Sequence, residues 1–285
     1  MKILVTGATG VIGRLLLPLL VKEGHEVIGM THNPLLTSQI RTLGASAVLV
    51  DALDRDAVAA SLREARPEVV IHQLTSLSTL NVADNAKIRT VGTRNLVDAA
   101  QAAGVRRMIA QSISWAYEPG SEPAREEASL DTEAPLPRKT TIDGVIALER
   151  AVAELPEHVI LRYGQLYGQG TWYDHNGLFE GKVRQQQVPA TEGVSSFLHV
   201  HDAAQAALKA LHWPNGSVNI VDDEPAQGKV WLPFYASVIG APAPKIEDVS
   251  NRGERGASNA KARNTYGWEP AYPSWREGFK GSLSE

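Results

Sequence analysis

Three glycines stand at fixed spacing in Thr6-Gly7-Ala8-Thr9-Gly10-Val11-Ile12-Gly13, between the apolar run Ile3-Leu4-Val5 and the helical run Arg14-Leu15-Leu16-Leu17. Strand, glycine turn and helix without a spare residue are the context in which a diphosphate can lie against bare main chain. Gly7 permits the sharp exit from the strand, Gly10 the close approach of the anion, and Gly13 the packing of helix on sheet. Unpaired amide N–H groups at a helix start, with the helix dipole behind them, then hold the negative charge, so Thr9, Gly10, Val11 and Ile12 line the expected site.

A second group able to do chemistry is Ser112, Ser114 and Tyr117, placed where the apolar run Arg107-Gln111 ends. Tyr117 is the candidate proton donor to a carbonyl, with Ser112 or Ser114 as its hydrogen-bond partner. Tyr163 and Tyr167 have similar standing. Trp115, Tyr167, Trp172, Tyr173 and Phe197, with Tyr117 and His175 nearby, could line a ring-accepting substrate pocket or form a core of their own, and a mixture of both is expected. His199 and His201 alternate with Val200 ahead of Asp202, a set that could hold Zn²⁺ on a strand. Alternation alone is common, so no metal is expected. No HExxH or GxSxG run is present, which leaves zincin and hydrolase chemistry without a starting motif.

These groups need a scaffold. Apolar strands at Ile3-Thr6, Val27-Met30, Ala47-Val50, Val69-His72, Arg107-Gln111 and Val159-Arg162 alternate with helical patterns at 11–22, 35–43, 56–65, 83–103 and 142–153. That rhythm predicts an α/β fold, a doubly wound parallel sheet of Rossmann type. Asp54 is placed to cap the third helix and Gly104 to end the fourth. Residues 1–165 are expected to form the dinucleotide-binding domain, and 166–285 mainly a smaller C-terminal substrate lobe, with 195–221 returning to the first. The proline-rich, charged stretch Glu118–Lys139 reads as a surface loop or flap, with Glu126, Glu127 and Asp131 solvated. Asp222-Asp223-Glu224 reads as a charged turn.

A net charge of −4 without a block of like charge argues against a nucleic-acid footprint or a polybasic membrane patch, leaving a small molecule as the expected partner. The absence of cysteine removes disulfides, thiolate catalysis and sulfur-ligated metals, and fits a cytoplasmic protein. The apolar stretches are too short to span a bilayer.

Taken together, the glycine turn, Asp51-Ala52, His72-Gln73-Leu74-Thr75, Gly92-Thr93-Arg94-Asn95-Leu96, Arg162-Tyr163-Gly164-Gln165-Leu166-Tyr167-Gly168, His199-Val200-His201-Asp202 and Tyr266-Gly267-Trp268-Glu269-Pro270 resemble the motifs of the extended short-chain dehydrogenase/reductase family, relatives of NAD-dependent epimerases and dehydratases. The resemblance implies an adenine contact at Asp51 and Ala52, and cofactor contacts at Gln73, Leu74 and Ser112. It also implies a helix cap at Asp202 and a homodimer through the helices at 83–103 and 142–153. At the end of the second strand an acid would bind the adenosine ribose and repel a 2′-phosphate. Here Thr31-His32-Asn33 stands instead, so NADP is expected over NAD, with Arg14 or Arg41 to neutralise the phosphate.

The family's acid/base set is missing at the matching positions. Its Ser/Thr falls on Ile113, its tyrosine on Thr141 and its lysine on Val145. The chain therefore resembles the atypical branch, which keeps the turn and lacks the proton-transfer residues. The leading expectation is an NAD(P)-dependent oxidoreductase acting on a small apolar or aromatic carbonyl or activated alkene. Alternatives are a nucleotide-sugar epimerase or dehydratase, and a non-enzymatic NADP(H)-binding redox sensor.

Overall fold

The computed structural model describes residues 1–77 and 81–283. The chain divides into two compact units: one of Met1–Ser112, Thr132–Leu161 and Ala204–Ser217, the other of Ile113–Asp131, Arg162–Ala203 and Val218–Glu285.

The first half alternates β1 (Lys2–Thr6), α1 (Gly13–Lys22), β2 (Glu26–Thr31), α2 (Thr37–Thr42), β3 (Ser46–Leu49), α3 (Arg55–Ala65), β4 (Val69–His72), α4 (Val82–Lys87), α5 (Thr93–Ala102) and β5 (Arg107–Ile113). Then come α6 (Arg138–Val152), β6 (Glu157–Tyr163), β7 (Gln165–Tyr167), α7 (Leu178–Arg184), β8 (Val194–Ser195), β9 (Phe197–His199), α8 (Val200–Lys209) and β10 (Gly216–Ile220). The chain closes with β11 (Ala226–Gln227), α9 (Gly228–Val238), α10 (Ala260–Tyr266) and α11 (Trp275–Leu283).

One sheet runs β10-β6-β5-β4-β1-β2-β3, and its pairings from β5 to β3 are parallel. This is the doubly wound arrangement expected. β1 and β4 are apolar along nearly their whole length because both sheet faces are covered, which suppresses alternation. Thr6 stands opposite both Met30 and His72, so the carboxyl ends of the central strands are level and their loops emerge together. Beneath them Leu4, Val70, Leu96, Met108 and Leu148 form a dry core. α3 packs against α5, and α5 against α6. Asp54 caps α3 as expected, its Oδ1 accepting from Ala57 N at 3.0 Å.

The segment expected as one helix from Ala83 to Ala103 is α4 and α5 joined by a π-helical turn, Ile88–Gly92. A π turn takes more residues per turn than the α-helical period used to read the sequence. Its consequence is local: Arg89 is buried there.

The second unit has its own core of Tyr167, Tyr173, Phe197, Trp231, Tyr235, Trp275 and Phe279. Residues 118–131 are not a loose flap. Tyr117 bridges Leu130, Ala124 bridges Ala257, and the Asp131 side chain, fully buried, takes a bidentate ion pair from Arg252 at 2.7–3.0 Å. Asp131 and Glu126, expected in solvent, are instead joints of this unit, Glu126 Oε1 accepting from Asn219 N at 2.8 Å. Asp222 is likewise buried and accepts from Trp275 N at 3.0 Å. Burial keeps its carboxyl protonated well above the usual range, to about 8.

Candidate functional site

The turn after β1 has the shape its glycines require. Gly7 holds φ +72°, and a Cβ there would fall 2.4 Å from Gln73 O. A Cβ at Gly13 would fall 2.2 Å from Gly7 O, so α1 starts against the strand exit only because that position is bare. Gly10 is exposed, and a Cβ there would meet only Gly7 O, at 3.2 Å. Its N–H closes the turn on Gly7 O at 3.0 Å, and Arg14 N–H bonds back to Gly10 O at 3.1 Å. The cap residue Ile12 supplies no side-chain acceptor, and the first turn of α1 carries no acid. An open glycine face before an uncapped helix start has the form and polarity to take a diphosphate.

Around it the strand ends contribute in turn. Thr31 is buried and its Oγ1 accepts from Asn33 N at 3.2 Å, while His32 is exposed beside it. Asp51 turns its Oδ1 to Leu53 N at 2.9 Å, and the buried Ala52 carbonyl accepts from Asn95 Nδ2 at 2.9 Å. Gln73 is buried and donates its N–H to Thr6 O at 3.0 Å, next to the half-buried Leu74.

Below this rim lies a polar cluster. Leu74 N–H donates to His72 Nδ1 at 3.3 Å, so that nitrogen is an acceptor and the Nε2–H faces Thr93 Oγ1 at 2.9 Å. His72 is thereby a neutral imidazole, and burial with the nearby Arg89 charge holds its pKa down at about 4. Ser112 donates its hydroxyl to Glu149 Oε1 at 2.7 Å. Glu149 is itself buried, and its charge supports the buried guanidinium of Arg89. Desolvation still lowers Arg89 to about 10.

Neither Arg89 nor Glu149 was singled out as functional by the sequence reasoning. The signal was present: Asn85, Arg89, Gly92, Thr93 and Leu96 follow the buried helical stripe, and so do Ile142, Val145, Leu148, Glu149 and Val152. A charge on a core stripe calls for a partner or a ligand.

In the second unit Tyr117 is 1% exposed. Its hydroxyl donates to Asn219 Oδ1 at 2.7 Å and accepts from Arg162 Nη1 at 2.8 Å. Burial raises its pKa to about 12 despite the neighbouring guanidinium. A phenol so engaged is a weaker acid than an ordinary tyrosine. Ser114 is buried, its N–H on Tyr163 O at 2.9 Å. Tyr163 turns its hydroxyl to Ala203 O at 3.4 Å.

The aromatic candidates separate. Tyr167, Tyr173 and Phe197 are buried in edge-on and tilted ring contacts with one another and with Phe279, and are core rather than pocket wall. Trp172 is 42% exposed and Trp115 38% exposed. Trp115 borders a small recess of about 30 Å³ with Ser114, Gln165, Ser195, Ser196 and Glu254.

The histidine pair sits at a strand-to-helix junction. His199 Nδ1 accepts from His201 N at 3.2 Å and so covers the start of α8. Asp202 does not cap its own helix; its two oxygens accept from Ala271 N and Tyr272 N at 2.9 and 3.0 Å. Among the described residues no group of three or more His, Cys, Asp or Glu is placed to hold a metal, and no helix is long and apolar enough to cross a membrane.

Sheet order and glycine turn together define a dinucleotide-binding α/β protein. The chain belongs to the NAD dependent epimerase/dehydratase family, which it matches over residues 3–221. A relative from Streptomyces sp, the 3-diazoavenalumate denitrifying reductase, is 42% identical over 98% of this chain and 99% of its own length. A putative UDP-glucose 4-epimerase of Methanocaldococcus jannaschii is 27% identical over 98% of this chain and 96% of its own. Among solved structures, the UDP-glucose 4-epimerase of Thermotoga maritima superposes with a TM-score of 0.79 at 22% identity, covering 100% of this chain and 98% of that one. That of Thermus thermophilus, solved with NAD, gives 0.75 at 26%, with coverages of 100% and 98%.

Proposed function

We propose that this protein is an NADP(H)-dependent reductase that delivers hydride to a small, electron-poor aromatic substrate without a tyrosine–lysine acid/base pair. The observation that carries this reading is what stands on α6 when Ala147-Leu148-Glu149-Arg150 is laid on the family's helix. The tyrosine position is Thr141 and the lysine position is Val145, 1% exposed and apolar. Neither can lower a phenol's pKa or pass a proton at neutral pH.

The bound cofactor supplies the hydride. The Gly7–Gly13 turn and the start of α1 seat the diphosphate, and Gln73, Leu74 and Ser112 border the nicotinamide half. Thr31 and His32 put no carboxylate at the end of β2, which leaves Arg14 or Arg41 to meet a 2′-phosphate. That favours NADP over NAD.

An acceptor that needs no proton fits the apolar positions. The 42%-identical relative is named for reductive removal of nitrogen from a diazo compound. In its simplest form that is Ar–N₂⁺ + H⁻ → Ar–H + N₂, which forms no O–H bond and balances without an acid. A conjugated alkene whose second carbon is protonated by water would also serve. Epimerisation of a nucleotide sugar starts instead by drawing a proton from a hydroxyl, and positions 141 and 145 hold no group to take it. Tyr117 is assigned to holding its loop through Arg162 and Asn219. The family likeness extends the proposal to a homodimer across the groove between α5 and α6, which Val91 and Ala147 line.

The test is NADPH deuterated at the transferring position, incubated with the protein and a panel of arenediazonium salts and cinnamyl acceptors. Deuterium on a product carbon, with matching loss of reduced cofactor, is the expected result. Interconversion of UDP-sugars without net cofactor consumption, or tight NADPH binding with no turnover across the panel, would overturn the reading.

A further inference from the structure

Arg89 lies in the π turn between α4 and α5 and is 5% exposed, a cation inside the floor beneath the strand ends. α6 packs against this turn. A Cβ built on Gly144 would lie 3.5 Å from the Arg89 Cβ, so the arginine side chain starts beside the residue that precedes Val145. Glu149 stands one helical turn beyond Val145 and shares its carboxylate between Ser112 and the field of Arg89. His72, at the carboxyl end of β4, is held neutral partly by the same guanidinium. The guanidinium is thus coupled to His72 at the carboxyl end of β4 and to Glu149 on α6.

Burying a guanidinium is costly unless its donors are used. Glu149 answers part of that demand while also serving Ser112. Arginine's planar fork suits a pair of adjacent oxygens. π turns are frequent at functional sites.

We propose that Arg89 grips the hydroxyls of the nicotinamide-side ribose, taking from the turn before α5 the cationic place that the family motif gives to a lysine at position 145, with Glu149 as its brace. This deepens the reading above and rests on it. With its pKa at about 10, Arg89 stays charged at neutral pH. Val145 brings no charge of its own to α6, and the Arg89 side chain starts beside Gly144, the residue before it. The arginine positions the cofactor and donates no proton to substrate.

The experiment is titration calorimetry of Arg89→Met with two probes: NADP⁺, and an adenosine bisphosphate fragment that lacks the nicotinamide half. NADP⁺ is expected to bind about tenfold or more weakly, the loss of charged hydrogen bonds, while the fragment binds as in the parent. Adding Val145→Lys to Arg89→Met should return most of the lost affinity for NADP⁺ and change nothing for the fragment. Unchanged NADP⁺ affinity, or an equal loss for both probes, overturns the proposal. Should Arg89→Met fail to fold, Arg89→Lys carries the test: about threefold weaker NADP⁺ binding with an unchanged fragment is expected, and equal affinities overturn it. A parent protein that binds neither probe instead refutes the cofactor reading on which the proposal stands.

Discussion

Tyr117→Phe removes one oxygen from a buried triangle and separates two roles for the same residue. In the parent the phenol donates to Asn219 Oδ1 at 2.7 Å and accepts from Arg162 Nη1 at 2.8 Å. Without it Asn219 loses a donor and the guanidinium an acceptor, inside a site where Tyr117 is 1% exposed. Asn219 Nδ2 keeps Ala124 O at 3.0 Å, and Arg162 keeps Glu126 O at 3.4 Å, so the partners are not stripped bare. The expected cost is about 2 kcal/mol of stability, within the range for a lost hydrogen bond to a charged group. In a chain of 285 residues that lowers Tm by roughly 3 °C. The turnover of the folded fraction should fall by less than about threefold, because no proton leaves this oxygen in the reaction; roughly 0.6 kcal/mol is the most the barrier should change. Thermal melts followed by single-turnover hydride transfer measure both quantities on one preparation. A turnover loss of about tenfold or more, some 1.4 kcal/mol in the barrier, with Tm unmoved would refute the positioning role and restore Tyr117 as proton donor.

Gly10→Asp places a carboxylate on the open face of the turn, where its Cβ meets only Gly7 O at 3.2 Å, so the fold should persist while calorimetry shows no NADP⁺ binding. The Asp131–Arg252 pair should respond asymmetrically, since the Asp131 side chain is 0% exposed and that of Arg252 39%. Arg252→Met takes the guanidinium from a buried anion and should cost about 3 kcal/mol in urea melts, whereas Asp131→Asn leaves a cation that can hydrate and should cost about 1–2 kcal/mol. Equal costs would refute that account. His72, depressed from 6.5 to about 4, lends stability that is complete above pH 6.5 and is lost as the pH falls towards 4, because the unfolded imidazole binds the proton first. The loss is on the order of 3 kcal/mol across that window, and His72→Gln should flatten the slope of stability against pH over it.

Local chemistry was legible in the sequence wherever one stretch of chain builds it. The turn needs only a strand exit, three bare positions and a helix start, all within residues 2–14, so Gly7, Gly10 and Gly13 could be assigned before any contact was known. Asp54 as a cap and the alternation of strands with crossover helices follow from periods and end signals of the same short range. The residue types Ile113, Thr141 and Val145 were equally plain, since they are read directly from the chain.

What tertiary structure decided was the meaning of groups whose partners lie far along the chain. Asp131 reads as a loop charge until Arg252 closes on it from 121 residues away, and Tyr117 reads as an acid until Asn219 arrives from 102. Arg89 and Glu149 stand on apolar helical stripes that mark them as buried, but which charge meets which is set only when their helices pack. The sequence by itself determined the backbone cradle because steric and dipole effects there act over a few residues; desolvation and ion pairing depend on which distant side chains share a space, and only the folded chain sets that.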